Sequence, residues 1–446
     1  MRNVLVLGAG LVSRPLLRYL LTHHDYRVYV GTADEPAARR VMGEHPRGRI
    51  GPVDARDEAS LGPLVDEADV VVSLLPAELN PGVARVCIAR RKPFINTSYA
   101  SPEMWALDEE ARAAGVLLLN ELGLDPGIDH MATAAMVRQL RYANGAITSF
   151  TSSCGGFPAS DANTNPWGYK FSWRPRAVMM AGRKPAAFRR HGEEVRIPGD
   201  QLFEHRWPYE FEGQGVFEVY PNRDTLFYLP RYGVPQVPGA VRGTLRYPGW
   251  CATMGAAARL GLFEVEEQEW PAGTTYRDFS ARRLPKGGGS ILEKAAEYLG
   301  VSLDSEVLAR LEWAGLFSDR ALPETRASAL DVFGNRLARL MMYQPGERDM
   351  VLLKNVFLAE YPDGSSEQIT TRLVQFGEAW GDSAMSRTVS LAAGIGTRLI
   401  LEEGIQAVGV QIPTLREIYE PVLEELEERG IRLEETRLKA FRGPLS

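Results

Sequence analysis

Residues 3–15 read Asn-Val-Leu-Val-Leu-Gly-Ala-Gly-Leu-Val-Ser-Arg-Pro, and this stretch decides the fold. The run 3–7 is apolar without alternation, the pattern of a parallel strand buried on both faces. Gly8 and Gly10 follow at once, and Leu16, Leu17, Leu20 and Leu21 then fall at helical spacing. A glycine pair has meaning in this context, between a strand and a helix. The first glycine permits a tight turn. The second lets a pyrophosphate approach the backbone at a helix N-terminus, where unpaired N–H groups favour negative charge. The third small position is Ser13, which still permits close packing of helix on sheet. The plainer alternative is a turn in an α/β sheet with no ligand. A signal peptide is a poorer reading, because the apolar run ends at glycines rather than at an A-x-A site.

Outward from this turn, strand and helix patterns alternate. Strands are expected at 26–31, within RIGPVDARD, at 69–76, 93–99 and 116–123, with helices from Asp34, at 58–68, at 83–91 and at 102–115 ending on Gly115. That alternation predicts an α/β fold with a doubly wound parallel sheet. The texture changes after about residue 123. Residues 145–250 are rich in Gly, Pro, Tyr and Trp with short strand-like runs, which suggests a mixed sheet with long loops. Residues 252–343 turn helical, Asp363-Gly364 marks a hairpin, and helices are expected again at 386–404 and 420–430. No internal repeat or low-complexity linker is found.

Composition excludes several function classes. The 446 residues are 45% hydrophobic and 24% charged, the mix of a globular protein with two or three domains. With 51 Lys+Arg against 57 Asp+Glu the net charge is −6, which argues against nucleic acid as the main partner. Cys87, Cys154 and Cys251 are odd in number and widely spaced, so neither a disulfide framework nor a Cys-x-x-Cys metal site is expected, and a reducing compartment fits. The six histidines form no metal-binding spacing, and no metal is expected. No stretch reaches the length of a membrane span, so no membrane association is expected.

The second strand should end in the residue that reads the adenosine ribose, acidic for NAD and with arginine nearby for NADP. The chain has Val30-Gly31-Thr32-Ala33-Asp34 there, with no arginine at the tip. NAD is slightly favoured over NADP. Asp34 equally suits a helix N-cap, and Arg39 and Arg40 in the following helix could serve a phosphate.

Several further segments are unusual as pure structure: INTSYASPEM (95–104), NELGLDPGIDHM (120–131), SCGGF (153–157), NPWGYKFSW (165–173), YPNRD (220–224) and VRGTLRY (241–247). Together with VSLLP, WAGLFSD, ERDMVLL and SAMSRTV they resemble, collinearly and over nearly the whole chain, the glutamate-forming saccharopine dehydrogenase family, also called saccharopine reductase. The resemblance implies a Rossmann-type dinucleotide domain at 1–123, completed by 395–446. It implies an α/β mixed-sheet substrate and dimerisation domain at 124–250 and 344–394, and a small helical domain at 251–343. It also implies a homodimer, a cytoplasmic setting, and a role in lysine metabolism. The reaction implied converts saccharopine, NAD(P)+ and water into L-glutamate and L-2-aminoadipate 6-semialdehyde, or the reverse. The second-strand end departs from the Cys-Arg-Thr type of the fungal members and is closer to the animal fusion enzymes. Phe157 and the stretch ASDANTN also differ from common members.

By matching motif, the dinucleotide is expected at Gly8, Ala9, Gly10, Leu11, Val12, Gly31, Thr32, Ala33, Asp54, Ala55, Leu75, Thr97 and Ser98, with Leu124, Asp125 and Pro126 near the nicotinamide. The substrate is expected at Ser98, Tyr99, Asp125, Arg223, Thr244, Leu245 and Arg246. Saccharopine carries three carboxylates and a secondary amine. Arg223 and Arg246 suit carboxylates, each as a two-point fork, and Asp125 suits the protonated amine. Hydride leaves the carbon beside that nitrogen, and water attacks the resulting imine. Proton transfer is expected from among Tyr99, Asp125, Cys154, His130 and Lys170, with Asp125, Tyr99 and Cys154 as the catalytic set. Each has a purely structural alternative: Asp125 as a turn residue, Tyr99 as core, Cys154 as a small buried group, His130 as a helix-start residue, Lys170 lying over aromatics, and Arg223 in a local ion pair with Asp224. A related reductase joining a polyamine-type amine to an aldehyde is the nearest rival. An inactive dinucleotide-sensing protein is the rival from another class.

Overall fold

A computed structural model describes residues 1–439, and these divide into two compact units. The first comprises residues 1–148, 231–234 and the described part of 353–446; the second comprises 149–230 and 235–352.

The first unit is built on a parallel sheet of β1 (Arg2–Leu7), β2 (Tyr26–Thr32), β3 (Gly48–Pro52), β4 (Val70–Ser73), β5 (Phe94–Asn96), β6 (Leu117–Leu119) and a last strand, Gly409–Gln411. From one edge the order is β3-β2-β1-β4-β5-β6, then Gly409–Gln411 beyond β6. This is the dinucleotide-fold order, and the order in which successive strands are added reverses between β1 and β4 while all strands stay parallel. The expected doubly wound sheet is therefore present. Val4, Leu5, Val6 and Leu7 are all at most 1% exposed, as an unbroken apolar run requires. Helix α1 (Arg14–Thr22) places Pro15 in its first turn and buries Leu16, Leu17, Leu20 and Leu21, while Arg18 stays exposed. The long helix Ala384–Leu401 lies close on this layer because its contact residues are small. A Cβ at Gly394 would come within 2.8 Å of the Tyr19 ring, and one at Gly396 within 2.2 Å of Leu122 Cδ2.

Among the expected elements that differ in extent, three do so for a visible local reason. The strand expected at 93–99 ends at Asn96, because Asn96 Oδ1 accepts the Ser98 N–H at 2.8 Å and turns the chain out of the sheet. The helix expected at 102–115 is two, Pro102–Trp105 and Asp108–Ala114, the second closed by Gly115 at φ 68°. The strand expected at 116–123 ends at Leu119, and Glu121 follows in the left-handed region at φ 61°. Farther on, the strands Asp349–Glu360 and Ser366–Phe376 are neighbours joined through Asp363-Gly364, where Gly364 has φ 80° and Asp363 Oδ1 accepts the Ser365 N–H. Glu434–Lys439 adds antiparallel to Ser366–Phe376.

In the second unit Trp207–Phe211, Gly215–Pro221 and Gly239–Arg246 pair antiparallel, and Gly239–Arg246 pairs parallel with Ala146–Pro158. The texture of residues 145–250 thus resolves into a mixed sheet. The helices Trp250–Arg259, Tyr276–Ala281, Ile291–Leu299, Glu306–Trp313 and Ala329–Leu340 enclose an aromatic core that includes Trp167, Trp250, Trp270, Phe279 and Phe333. Their starts follow from sequence: Thr275 with Asp278 and Ser290 with Glu293 form reciprocal capping boxes. All three cysteines are buried thiols. Among the described residues no helix is long and apolar enough to cross a membrane, and no group of three or more His, Cys, Asp or Glu side chains is placed to hold a metal ion.

Candidate active site

The segments singled out in the first unit gather at the carboxyl ends of its parallel strands, where open α/β sheets bind ligands. Gly8 ends β1 at φ 94° and donates its N–H to Gly31 O. An added Cβ there would sit 3.3 Å from the Leu74 carbonyl, so the turn itself requires glycine. Gly10 is different. Its φ is not positive, and an added Cβ would meet no atom of the described residues beyond its chain neighbours within 4 Å. Nothing inside the protein demands a glycine at 10, so the demand fits a group approaching from outside. Ser13 is fully buried and donates its Oγ–H to Gly10 O at 2.8 Å, tying the turn to the start of α1. Val12 O accepts from Ser390 Oγ. Leu11 is 53% exposed beside the glycines.

At the end of β2, Gly31 packs internally, since a Cβ would lie 2.8 Å from Val53 Cγ1. Ala33 and Asp34 are exposed, and Thr32 Oγ1 accepts the Asp34 N–H. Asp34 caps helix α2 (Glu35–Met42), accepting the Ala37 N–H on Oδ1 at 2.9 Å. Arg39 pairs with Glu35 at 3.4 Å, and Arg39 and Arg40 are exposed. Asp54 and Ala55 follow β3, Asp54 turned by its own bond to the Arg56 N–H. Leu75 follows β4, with its N–H on Ser73 Oγ.

The ends of β5 and β6 carry the polar chemistry. Thr97, Ser98 and Tyr99 follow β5, and Leu124, Asp125 and Pro126 follow β6. Tyr99 donates its hydroxyl to Asp125 Oδ1 at 2.5 Å, so two residues singled out from separate motifs meet. The Asp125–Pro126 peptide is cis. His130 lies in the first turn of the helix Ile128–Tyr142, fully buried, its Nε2 2.8 Å from Glu121 Oε2 and its Nδ1 on the Tyr232 hydroxyl. Glu121 and Tyr232 escaped the sequence reading. Glu121 sits inside the quoted NELGLDPGIDHM, but a solvated acid is the ordinary reading of a glutamate there; Tyr232 gave no signal at all.

In the second unit Cys154 and Thr244 are register partners on adjacent parallel strands. Two residues beyond Thr244, Arg246 is 7% exposed. Its guanidinium faces the rings of Tyr169 at 5.1 Å, Trp250 at 5.6 Å and Tyr220 at 6.0 Å. Nη1 donates to Leu245 O at 2.7 Å, whereas Nε has no hydrogen-bond partner among the described residues. Burial works against the Arg246 charge, but the Tyr220 and Tyr169 oxygens and the neighbouring Cys251 and Cys154 outweigh it and raise the pKa, so the cation persists. Burial pushes the Tyr169 and Tyr220 hydroxyls up. Leu245 is fully buried, so its backbone is what it offers. Arg223 is half-buried at φ 61°, and its carbonyl accepts the Ala187 N–H. Lys170 is 4% exposed, reaches Glu347 and lies 5.9 Å over the Tyr343 ring. Burial alone would raise the Glu347 carboxyl, but the bond from Lys170 and its other hydrogen bonds hold it below the usual range. Lys170 is thereby engaged as a structural cation.

Residues 4–119 match the family described as "Saccharopine dehydrogenase NADP binding domain", and residues 123–431 match "Saccharopine dehydrogenase C-terminal domain". The chain is 33% identical over 446 residues to the Schizosaccharomyces pombe protein named saccharopine dehydrogenase [NADP(+), L-glutamate-forming], covering 98% of this chain and 99% of that one. It is 34% identical to the mitochondrial alpha-aminoadipic semialdehyde synthase of Bos taurus, covering 96% of this chain and 47% of that protein. The solved apo saccharopine dehydrogenase (L-Glu forming) from Saccharomyces cerevisiae superposes with a TM-score of 0.85 at 32% identity, covering 98% of this chain and all of that one. Two family matches that together span nearly the whole sequence leave one conclusion: the chain belongs to the saccharopine dehydrogenase family.

Proposed function

We propose that this chain is an NAD(P)-dependent, glutamate-forming saccharopine dehydrogenase of lysine metabolism. The observation that carries the substrate reading is Arg246. A buried cation with an unpartnered Nε is costly unless a ligand supplies an anion, and a carboxylate fits the guanidinium edge. Arg223, with Thr244 and the Leu245 backbone, serves the remaining carboxylates of a three-carboxylate substrate. A polyamine-type substrate would leave such arginines without work, which disfavours that rival.

The carboxyl edge of the first sheet fits a dinucleotide. Gly8 to Val12 and the start of α1 hold the pyrophosphate, Thr32 to Asp34 with Asp54 and Ala55 the adenosine side, and Leu75, Thr97, Ser98 and Leu124 to Pro126 the nicotinamide side. The bound nicotinamide supplies hydride acceptance. The protein's part is positional and electrostatic. Asp125 pairs with the substrate's secondary ammonium, and Tyr99, donating to Asp125, fixes the carboxylate's direction. One proton first leaves the ammonium for water, since only the neutral amine can release hydride; as the carbon beside the nitrogen then loses hydride, the nitrogen becomes an iminium, and Asp125 balances its charge. Water then adds to that carbon and glutamate leaves; proton movement is assigned to Tyr99, Asp125 and Cys154.

The end of β2 supports NAD, since no arginine stands at its tip; the relatives' names support NADP(+). The domain division stated above, the homodimer and the cytoplasmic setting are proposed with this reading, of which residues 440–446 lie outside the described residues; three buried thiols suit a reducing compartment. The test is absorbance at 340 nm with saccharopine and either NAD+ or NADP+. Reduction of one or both supports the enzyme and names its dinucleotide. No reduction by a protein that still binds a dinucleotide would refute the saccharopine reading.

A further inference from the structure

The chemistry above leaves several buried polar groups unused, and three of them bond to one another. Glu121 is 1% exposed, His130 0% and Tyr232 4%, and they form a chain in which the imidazole is gripped at both nitrogens. Taking a carboxylate and an imidazole out of water carries a desolvation cost that well-packed apolar side chains would avoid. Glu121 also holds φ 61°, a left-handed conformation that costs a non-glycine residue on the order of 1 kcal/mol. Two costs at one residue, at the end of the strand that leads to Asp125, ask what the residue holds.

It holds the backbone on both sides of Tyr99. Glu121 Oε1 accepts the Ala100 N–H at 2.9 Å, and the Glu121 N–H donates to Ser98 O at 3.2 Å. The backbone after Asp125 is held in parallel, since Asp129 Oδ1 accepts the Gly127 N–H at 2.7 Å. Asp129 Oδ2 stands 4.0 Å from His130 Nδ1. His130 therefore lies between the carboxylate that fixes the Tyr99 loop and the carboxylate that fixes the turn after Asp125. Its own position is set from outside by the Tyr232 hydroxyl.

We propose that Glu121, His130 and Tyr232 act as positioning residues that set the geometry of the Tyr99–Asp125 pair. They touch no substrate or dinucleotide in this account; they act through the backbone at Ala100, Ser98 and Gly127. The proposal rests on the role assigned to Tyr99 and Asp125 above.

The test compares the full-length parent with Glu121→Ala, Glu121→Gln and Tyr232→Phe, by steady-state kinetics and by amide exchange of peptides spanning 97–101. Glu121→Ala removes the acceptor for Ala100, and kcat falls toward about a hundredfold, the scale of an ångström's misplacement, while the dinucleotide KM stays within about twofold. Exchange at 97–101 rises at least about tenfold with no matching rise in the distant strands of the same sheet. Glu121→Gln keeps an acceptor for Ala100 and recovers most of both losses. Should Glu121→Ala fail to fold, Tyr232→Phe shows the same split at about fivefold. A role in stability alone would lower the melting temperature and leave kcat per folded molecule unchanged. Either of two results overturns the brace: a folded Tyr232→Phe or Glu121→Ala with parental kcat, or unchanged exchange at 97–101. A parent that does not turn over saccharopine refutes the assigned function instead, and the exchange measurement still decides the brace.

Discussion

Replacing Gly10 with alanine separates stability from binding. An added Cβ at this position meets nothing among the described residues within 4 Å, and its φ does not need glycine. Without ligand, Gly10→Ala should therefore be neutral or stabilising, by about 0.4–1 kcal/mol from the lost freedom of the unfolded chain. With the dinucleotide the sign reverses, because the new methyl stands where the pyrophosphate must approach the N-terminus of α1. A hundredfold loss of affinity corresponds to roughly 2.7 kcal/mol. Ligand-induced stabilisation reads this directly. At a concentration 100 times the parental Kd, the parent gains about 2.7 kcal/mol, and the weakened variant only about 0.4 kcal/mol. Thermal unfolding with and without NADPH or NADH, alongside titration of intrinsic tryptophan fluorescence, gives both quantities. If the dinucleotide stabilises Gly10→Ala as strongly as the parent, no pyrophosphate lies against Gly10. If the ligand-free variant is instead destabilised by several kcal/mol, the glycine serves the turn alone and the argument from open space fails.

Arg246→Met keeps volume but removes the buried cation with its unpartnered Nε. Its ligand-free melting temperature should hold or rise, and kcat/KM for saccharopine should fall roughly 10- to 150-fold, the worth of a charged hydrogen bond; unchanged kinetics would remove Arg246 from the substrate site. Asp125→Asn keeps the size and loses the charge opposite the ammonium. We expect kcat/KM to fall at least about tenfold, measured at 340 nm, and a parental value would leave Asp125 as a turn residue. Double replacement of Arg39 and Arg40 by alanine should leave NAD+ kinetics within about twofold, and a large rise in the NADP+ KM alone would place the phosphate on those arginines. Glu425 gives a pH prediction. Burial alone would raise its carboxyl, but bonds from Arg429, Tyr19 and Arg398 outweigh burial and hold it below the usual range. A depressed folded pKa contributes stability above the unfolded value near about 4.3 and loses it as pH falls through the folded value. Glu425→Gln should flatten the melting-temperature slope over that acid window, and an unaltered slope would show that the pairing is not linked to stability.

Much of the first unit was legible in the sequence because its signals are local. The run 3–7, the glycine turn and the leucine spacing of α1 each state their own structure, and the sheet order follows from repetition of the same unit. What escaped was set by side chains closing on their own backbone. Asn96 ended a strand early by capturing the Ser98 N–H, and no periodicity marks that event. Matching motifs placed Tyr99 and Asp125 both at the substrate, but their hydrogen bond was not legible, since the two follow separate strands. The arrangement of Glu121, His130 and Tyr232 was out of reach for another reason. Tyr232 lies 102 positions from His130 in sequence, and only tertiary structure brings its hydroxyl to the imidazole.

The last strand of the parallel sheet, Gly409–Gln411, pairs with β6, which closes at Leu119, about 290 residues earlier. During synthesis at roughly 5–20 residues per second, β6 waits on the order of 15–60 s for its neighbour. Through that interval the nascent chain carries an apolar strand, Leu117–Leu119, as an open sheet edge, the template on which misassembly begins. Ribosome-bound chains halted before residue 409 should therefore recruit holdase chaperones that chains halted well past residue 411 release. The vulnerability of this protein in the cell is then greatest while it is being made.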